Sequence, residues 1–476
     1  MDVAEISKKF LRWEKTNELH SIKINDFPIY CFIRLEVFES LIFSGNIEDA
    51  IKKNNKDKVK INYFKVLKSA CSFFAKQHIL KNKTIYITNT DNKIKIEDTY
   101  VDNYFDKLIR NDVSAKAILE YPNLLNYHFN NISNKSITVK AGIFYILERM
   151  FKGKIVKEEF NSKVNRIIEM YSGLYYDLTG STIPKEARNL IRNKIYTNVN
   201  RIKLYENILK FYKPKEVYLK SAYSPLKLII TKACKKNKVQ VTEVQHGHIY
   251  KYHIGYLLPL NDDLDYLNPD KILVWSEYYK GVLLGNKWKE EKIFVKGDFT
   301  YNSEVNKLNQ EKEEGLVNLS EKYDKVFTIV GQHTLTSEII DFLSDLDRLP
   351  HEVKVFLKLH PKHIDLQERE YEKIYATNKK LTIVKEGKIK SLINASDLVI
   401  GVYSTAIIEA LEMKKKVHLI DISTADFFED MIKKGIVRKS NSIYNSFQIL
   451  KSSSPVPEVI FREKFKSTKM KDGRKD

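Results

Sequence analysis

The fold is decided by a stretch that ends in histidine and proline, VKVFLKLHP at residues 353–361. Its apolar run, Val353 to Leu357, is short and is closed by a turn, which is typical of a buried strand. The same pattern returns at Leu398 to Ile400, which is followed by the loop at 401–405, GVYST. Open α/β sheets bind ligands at the carboxyl ends of their strands. Both loops are therefore candidates for a functional site.

Outward from this stretch, short apolar runs alternate with helical patterns. The predicted strands of the alternating part of the chain are 216–219, 239–244, 271–275, 293–296, 326–330, 353–359, 381–384, 398–400 and 417–420. Such alternation predicts β-α-β units with parallel strands and right-handed crossovers. Two earlier strands, 84–88 and 115–120, stand within a largely helical first part. We therefore expect an α/β fold with a helical N-terminal extension.

The chain has 476 residues, enough for two or three domains. We expect an N-terminal domain at 1–255 with helical additions, a C-terminal domain at 270–450, and a basic, frayed tail at 451–476.

The composition is strongly basic, with 81 Lys and Arg against 61 Asp and Glu and a net charge of +20. This excess indicates an acidic partner, namely nucleic acid, an anionic membrane surface or a phosphorylated substrate. A solvated surface rich in lysine would give the same charge. No signal-peptide core and no membrane-spanning apolar run is found, so we expect a cytoplasmic protein. Contact with the inner face of the plasma membrane stays open. The three cysteines are not spaced as metal ligands are, and we expect them to be free thiols in a reducing compartment.

Ser404 and Thr405 stand where the strand at 398–400 gives way to a helix. A helix start offers free N–H groups and a partial positive charge, which suit a phosphate. Glu409 follows one turn later and is a candidate ligand for ribose hydroxyls. A plain capped helix would explain the same residues.

Two further loops are candidates for binding phosphate. Lys358 and His360 lie two residues apart, so they point to the same side of their strand, and Pro361 fixes the turn. Gly331, Gln332 and His333 form a glycine loop after the strand at 326–330. Neither a Walker motif nor GxGxxG is present, which excludes those two phosphate-binding modes.

Gln245, His246 and Gly247 end the strand at 239–244. A histidine titrates near neutral pH and suits a general base. A packing histidine is the alternative. His248 and His253 lie close by but do not have zinc-ligand spacing, so no metal site is expected.

Taken together, these motifs resemble the GT-B glycosyltransferases of bacterial surface polysaccharides. The resemblance covers about 215–425 and rests on the QHG loop, the K-x-HP turn and the later Ser-Thr pair. The similar enzymes are the HP-motif sialyl- and Kdo-transferases and the teichoic-acid polyol-phosphate polymerases. The chain lacks the acidic D/E-D/E-G motif of several sialyltransferases. The resemblance implies two Rossmann-like domains that face a cleft.

The same resemblance implies roles for residues. His360, Pro361, Ser404 and Thr405 would bind the phosphate of the donor nucleotide, in the C-terminal domain. His246 would be the base, with Asp262 or Asp263 as the alternative. Gln245 and Gly247 would lie on the acceptor side, in the N-terminal domain.

The function so implied is a metal-independent glycosyltransferase without a bound cofactor. It would move a sugar from a nucleotide-sugar donor, a CMP-sugar such as CMP-Kdo being favoured, to a growing capsule or lipopolysaccharide glycan or a lipid-linked acceptor. Nucleic acid is not an expected partner.

Three alternatives remain open. A polyol-phosphate transferase that uses a CDP-alcohol would share every motif. A nucleotide-sugar 2-epimerase would share the fold but needs carboxylates that the sequence alone does not place. A non-enzymatic basic protein that binds membrane or nucleic acid would explain the charge, but not the histidines and glycines at strand ends.

Overall fold

The computed structural model describes residues 3–42, 63–96, 98–121, 131–150, 156–257, 262–300, 323–332, 335–360, 364–385, 389–452 and 461–463. The chain divides into two compact units. The N-terminal unit comprises Ile6–Ile249, His253–Tyr301 and Glu463–Asp476. The C-terminal unit comprises Met1–Glu5, Tyr250–Tyr252 and Asn302–Arg462.

A seven-stranded parallel sheet forms the centre of the N-terminal unit. Two short antiparallel pairs accompany it. In chain order the strands are β1 (Lys23–Ile24), β2 (Phe27–Pro28), β3 (Thr84–Asn89), β4 (Lys93–Ile96), β5 (Thr99–Asp102), β6 (Lys116–Tyr121), β7 (Thr138–Lys140), β8 (Glu216–Leu219), β9 (Gln240–Val244), β10 (Lys271–Val274) and β11 (Ile293–Val295).

The spatial order of this sheet is β11-β10-β9-β8-β3-β6-β7. The chain therefore starts in the middle, at β3, winds outward to β7, and returns to β8 to wind the other way. Strands β3 and β8 lie side by side while their connections leave in opposite directions. Such a switch point is where open parallel sheets bind ligands.

Helices flank the sheet, and their ends follow local rules. Helix α6 ends at Gly180, whose φ of 70° is the left-handed geometry of a helix C-cap, and α8 has proline in its first turn. The helices wholly or mainly in this unit are α1 (Val3–Thr16), α2 (Arg34–Ile42), α3 (Tyr63–Lys76), α4 (Asp106–Asn111), α5 (Ile143–Met150), α6 (Lys157–Thr179), α7 (Lys185–Tyr212), α8 (Pro225–Lys236) and α9 (Glu277–Gly285).

The C-terminal unit contains a six-stranded parallel sheet in the order β14-β13-β12-β15-β16-β17. This is the order 3-2-1-4-5-6 of the Rossmann fold, with the switch point between β12 and β15. The strands are β12 (Lys325–Val330), β13 (Val353–Lys358), β14 (Leu381–Val384), β15 (Leu398–Gly401), β16 (Lys416–Ile420) and β17 (Arg438–Ser440).

The core of this unit lies between the sheet and its helices. Phe327, Val355 and Ile400 are fully buried in one apolar cluster, as the near-continuous apolar runs of a parallel sheet require. The helices are α10 (Thr336–Phe342), α11 (Ile364–Tyr375), α12 (Ile389–Ala395), α13 (Thr405–Glu412), α14 (Glu429–Lys433) and α15 (Ile443–Ser452).

The predicted α/β fold class, with two Rossmann-like units, is confirmed. The β7 strand, the β17 strand and the two hairpins were missed, because each is short and carries polar or charged residues. Of the predicted basic tail, residues 453–460 and 464–476 lie outside the described residues.

Candidate functional site

At the switch point of the C-terminal sheet, two predicted loops come together. Gly331 and Gln332 follow β12, while Ser404 precedes α13 and Thr405 is the first residue of that helix. Since β12 and β15 are hydrogen-bonded neighbours, both loops leave from the same edge of the sheet. His333 lies outside the described residues.

The glycine of the first loop has a packing explanation. A Cβ at Gly331 would lie 2.7 Å from the carbonyl oxygen of Lys358, at the end of β13. The Gly331 N–H donates to that same oxygen over 2.9 Å. The close approach that requires glycine is therefore to the neighbouring strand. Gln332 is buried beside it.

The second loop starts a capped helix. The Ser404 hydroxyl accepts a hydrogen bond from the Ala406 N–H over 3.3 Å, which makes Ser404 the N-cap of α13. Thr405 is exposed and Glu409 is half-buried. The Glu409 carboxylate lies 3.7 Å from the Lys390 ammonium. Thr405 is thus the more accessible of the two hydroxyls.

The K-x-HP turn is fixed through its backbone. Gln367, which is buried, accepts from the His360 N–H over 3.3 Å and donates to the His360 carbonyl over 3.1 Å. The Lys358 ammonium donates to the carbonyl of Lys385 over 2.6 Å. Pro361 lies outside the described residues. The turn is rigid at His360, while the ammonium of Lys358 ties β13 to the segment after β14.

An aromatic group of the C-terminal unit was not predicted. Tyr250 stacks on Phe427 with ring centroids 4.3 Å apart, and Tyr403 meets Phe427 edge-on at 5.8 Å. Tyr403 is the residue before Ser404, so this group adjoins the start of α13. Aromatic faces of this kind can stack a nucleotide base. Only the Phe427-Phe428 pair in the sequence could have signalled it.

Two residues after Phe427, Glu429 binds two residues of the 250–252 segment. Tyr252 donates its hydroxyl proton to Glu429 over 2.8 Å, and the Lys251 ammonium donates over 3.3 Å. Hydrogen bonds from Lys433 and then Tyr252 lower the pKa of Glu429 to about 2. The carboxylate is therefore charged at neutral pH and keeps the segment in place.

In the N-terminal unit, His246 is the centre of a group of polar side chains at the carboxyl ends of β8 and β9. Its Nε2 lies 3.0 Å from the Ser221 hydroxyl and 3.4 Å from the Tyr223 hydroxyl. The rings of Tyr104 and His246 meet edge-on at 6.4 Å, and the Lys220 ammonium lies 4.4 Å from the Tyr104 ring centroid. We call these five residues, Tyr104, Lys220, Ser221, Tyr223 and His246, the histidine cluster.

His246 is a neutral imidazole at physiological pH. Burial, followed by the charge of Lys220, lowers the pKa of His246 to about 3. Its Nδ1 is buried and finds no hydrogen-bond partner among the described residues. A neutral imidazole with one nitrogen on two hydroxyls can exchange a proton with them or with a bound substrate.

Ser221 has an unusual backbone. Its φ of 53° lies in the left-handed region, which a serine adopts only when the surrounding structure imposes it. Strain of this kind concentrates at functional sites. Here it turns the chain between β8 and α8 and brings the Ser221 hydroxyl to His246.

The two predicted neighbours of His246 differ in role. Gln245 is fully buried, accepts from the Trp275 N–H over 2.8 Å and donates to the Gly247 carbonyl over 2.9 Å. It thus pins the loop to the end of β10. At Gly247 an added Cβ would meet no described atom within 4 Å, so nothing described requires a glycine there.

Three more titratable side chains lie on the same stretch of chain. His248 Nδ1 is 3.3 Å from the Tyr279 hydroxyl, and His253 Nδ1 accepts from the Gly255 N–H over 3.2 Å. Burial lowers the pKa of His248 to about 3 and of His253 to about 4. Glu243 accepts from the Ala222 N–H over 3.1 Å and the Tyr256 hydroxyl over 2.9 Å, and burial raises its pKa to about 7.

Two buried carboxyl groups of this unit were not singled out in the sequence. Glu243 is in β9, and Asp102 ends β5 with its carboxylate accepting from the N–H groups of Tyr104 and Phe105 over 3.0 and 3.1 Å. Burial raises the pKa of Asp102. Sequence reasoning also missed Ser221 and Tyr223. Their loop follows a strand, but it carries no histidine or glycine to draw attention.

The remaining predictions concern metals, membranes and the alternative base. Asp262 begins a short 3-10 helix, Asp262–Leu267, in which the side chains of Asp262 and Asp263 are not among those described. In the described part of the chain, no group of three or more His, Cys, Asp or Glu side chains is arranged to hold a metal ion. No described helix is both long and apolar enough to cross a membrane. The three cysteines are free.

Comparisons with known proteins gave matches in structure only. No protein-family model matches the chain, and no curated protein matches it in sequence. The UDP-GlcNAc 2-epimerase from Methanocaldococcus jannaschii is 14% identical with a TM-score of 0.47, over 78% of this chain and 94% of that one. The enzyme of the same name from Neisseria meningitidis, bound to UDP-GlcNAc, is 12% identical with a TM-score of 0.45, over 78% and 90%.

A third solved structure, the UDP-N-acetylglucosamine 2-epimerase from Rickettsia bellii, is 12% identical with a TM-score of 0.43, over 81% of this chain and 89% of that one. With TM-scores below 0.5, these likenesses transfer no activity to this chain by themselves. They do contradict the main functional prediction, because a glycosyltransferase was expected and the similar structures are 2-epimerases. The glycosyltransferase prediction is corrected accordingly.

Proposed function

We propose that the chain is an enzyme that acts on a nucleotide-activated sugar and inverts the configuration at carbon 2 of that sugar. The observation that carries the proposal is the histidine cluster. His246 is a neutral imidazole 3.0 Å from the Ser221 hydroxyl, at the carboxyl edge of a Rossmann-like sheet. The cluster offers proton transfer where such sheets bind ligands.

Inversion at a carbon that bears hydrogen has two requirements. One group must remove the proton from one face of carbon 2, while the electron pair of that C–H bond forms a double bond to carbon 1 and the nucleotide diphosphate leaves carbon 1. Another group must then return a proton to the opposite face of carbon 2 as the diphosphate is added back to carbon 1. His246 is unprotonated at neutral pH and can accept. Glu243, with a pKa of about 7, carries a proton in part of the molecules and can donate. Glu243 and His246 belong to the same unit and would serve as the acid and the base of this reaction.

The C-terminal unit supplies groups suited to the nucleotide. The start of α13, with Thr405 exposed and Ser404 beside it, favours the diphosphate through the helix dipole. His360, at the end of β13, would add a donor, and Lys358 would do so only after releasing the Lys385 carbonyl. Tyr403, which is half-buried, would stack the base, and Glu409 would accept from the ribose.

The reaction is tested by hydrogen exchange. Incubated with UDP-GlcNAc in D2O, the enzyme should replace the hydrogen at carbon 2 with deuterium and form the 2-epimer, as followed by NMR. We expect His246→Ala to lower the rate by about 100- to 10,000-fold, the usual contribution of a general acid or base.

The control is the same substitution at an exposed histidine, His351→Ala, which should exchange at the wild-type rate. Stabilisation by UDP in a thermal shift assay should be retained in His246→Ala, which separates loss of chemistry from loss of folding. An unchanged rate in His246→Ala would remove His246 as base. Absence of both exchange and epimer in the wild type with any nucleotide sugar would refute the proposal.

A further inference from the structure

Two lysines, one half-buried and one buried, lie at the switch point of the N-terminal sheet. Lys220 follows β8, and Lys227 lies in the first turn of α8, where it is only 7% exposed. The Lys227 ammonium forms no hydrogen bond among the described residues, and its only described cation–π contact is the Tyr121 ring, 5.2 Å from the ammonium to the centroid. Burying an ammonium without an anion is costly.

The carboxylates of this region are already engaged. Glu120, at the end of β6, pairs with Lys93 at 3.4 Å and with Lys140. Asp102 accepts from the N–H groups of Tyr104 and Phe105. Neither lysine of the switch point forms an ion pair with a carboxylate in the described part of the chain.

Longer-range charges act on the two lysines in opposite ways. Asp102 and Asp91 attract Lys220, whereas Lys220 itself repels Lys227. Of the two, Lys227 is therefore the cation that lacks a compensating negative charge.

The start of α8 adds further groups of the same character. This helix has twelve residues, and its N-cap Ser224 makes no side-chain capping bond. Thr231 lies one turn after Lys227 on the same face, and its buried hydroxyl finds no partner among the described residues. A buried ammonium, a buried hydroxyl and the positive end of a helix dipole on one face all favour an anion.

We propose that Lys220 and Lys227 bind an anionic group of the substrate, a carboxylate or a phosphate, at the switch point between β3 and β8. In naming the substrate, this inference rests on the proposed function. Because Lys220 also belongs to the histidine cluster, the bound anion would lie beside His246. The group expected here is a carboxylate on the sugar, because the proposed function places the diphosphate of the nucleotide at the start of α13. The diphosphate is the second source of an anion that the ligand comparison distinguishes.

Binding of an anion should draw in a proton. Burial, and then repulsion by Lys220, lowers the pKa of Lys227 to about 7, so the ammonium is only partly protonated in the free protein. A bound anion would raise that pKa. Calorimetric titration in two buffers with different ionisation enthalpies measures the proton uptake.

The test compares three ligands on the wild type, Lys227→Met and Lys220→Met. The ligands are UDP, UDP-glucose and UDP-glucuronate, where the last two differ by one carboxylate. With a sugar carboxylate as the anion, we expect wild-type protein to bind UDP-glucuronate at least tenfold more tightly than UDP-glucose, with proton uptake. Lys227→Met should abolish both the preference and the uptake.

Equal weakening of all three ligands in Lys227→Met would support the site with the diphosphate as its anion, and would overturn the placement of the diphosphate at the start of α13. Unchanged affinity and unchanged proton uptake for all three ligands in both variants would overturn the inference. Lys236→Met, at an exposed lysine of the same helix, is the matched control and should bind like the wild type. These binding measurements need no turnover, so they test the anion site independently of the proposed epimerase reaction.

Folding of the variant is checked at the same time. Free Lys227→Met should melt at a higher temperature than the wild type, because an apolar side chain replaces a buried charge. A lower melting temperature would indicate that the ammonium stabilises the fold, which contradicts a site held open for a ligand.

Discussion

At the residue scale, Glu243 shows how burial changes a side chain. Its carboxyl group is surrounded by the Ala222 N–H and the Tyr256 hydroxyl, with no ion pair among the described residues. Hydrogen bonds from the Ala222 and Ser221 backbone and from the Tyr256 hydroxyl do not offset the desolvation, so the pKa rises to about 7 from an ordinary 4.5. Between pH 4.5 and 7, the carboxyl group is therefore mostly protonated in the folded protein and mostly charged in the unfolded chain.

Glu243→Gln should therefore change the pH dependence of stability. The raised pKa contributes stability that is fully present below pH 4.5 and is lost as pH rises through 7, a total of about 3 kcal/mol. Relative to wild type, we expect Glu243→Gln to be more stable at pH 8 than at pH 5 by a difference of this order. Urea unfolding at both pH values measures it.

The control for this prediction is Glu169→Gln, which changes an exposed glutamate on α6 and should show no such difference. A difference for Glu243→Gln that is the same at both pH values would mean that the carboxyl group does not titrate in this range.

Sequence reasoning reached His246 but not its partners. A histidine beside a glycine at the end of an apolar run can be recognised from the sequence alone. Ser221 and Tyr223 become its partners only because β8 and β9 pair in parallel, with Leu219 opposite Glu243. That register depends on the packing of the whole sheet, so no local pattern gives it. Glu243 is hidden for the same reason, since it sits inside a strand.

At the element scale, β12 and β13 need Gly331 at their common end. Gly331→Ala would place a methyl group 2.7 Å from the Lys358 carbonyl, and a backbone atom cannot move aside cheaply. We expect a loss of about 1–3 kcal/mol in the free energy of unfolding, as for overpacked sites. Thermal or urea unfolding measures it.

A matched control lies in α9. Gly281→Ala adds the same methyl group to a helix at a position where the methyl would meet no other described part of the chain within 4 Å, and it should stabilise the protein by up to about 1 kcal/mol. A Gly331→Ala variant as stable as the wild type would show that the ends of β12 and β13 can move apart. The glycine would then not be required for packing, and close approach of a ligand would be the remaining explanation.

The elements themselves were largely predictable. Buried parallel strands carry continuous apolar runs, and β8 and β14 occupy the ranges expected from them. The missed strand β17 has the sequence RKS and pairs only with β16, so it needs no apolar face of its own. An edge strand of this kind is defined by its neighbour's hydrogen bonds, which a sequence pattern does not contain.

At the scale of the whole molecule, the strand order of each sheet decides which loops meet. Both sheets start with a central strand and wind outward in two directions. The alternation of strands and helices predicted parallel sheets, but it left the order open. Only the order shows that the loops after β12 and β15 share an edge, as do the loops after β3 and β8.

Buried histidines in both units lead to a prediction for the whole molecule. Burial is the largest cause that lowers the pKa of five histidines, to about 3 or 4: His20, His246, His248, His253 and His418. Each is neutral in the folded protein, so its stabilising effect is complete above the ordinary pKa of 6.5. The effect is lost as pH falls from 6.5 toward 4, because the unfolded chain takes up the protons.

Glu243 acts in the opposite sense, because its raised pKa makes the protein more stable as pH falls over this range. The net change in the free energy of unfolding therefore depends on which contribution is larger. At pH 5, five histidines at about 1 kcal/mol each outweigh the roughly 2–3 kcal/mol from one glutamate. We therefore expect the free energy of unfolding to fall between pH 6.5 and pH 5, as measured by urea unfolding. His418→Gln should reduce the fall by about 1 kcal/mol. Stability that rises over this interval would show that the histidines are protonated in the folded protein, and would also remove the neutral imidazole proposed for His246.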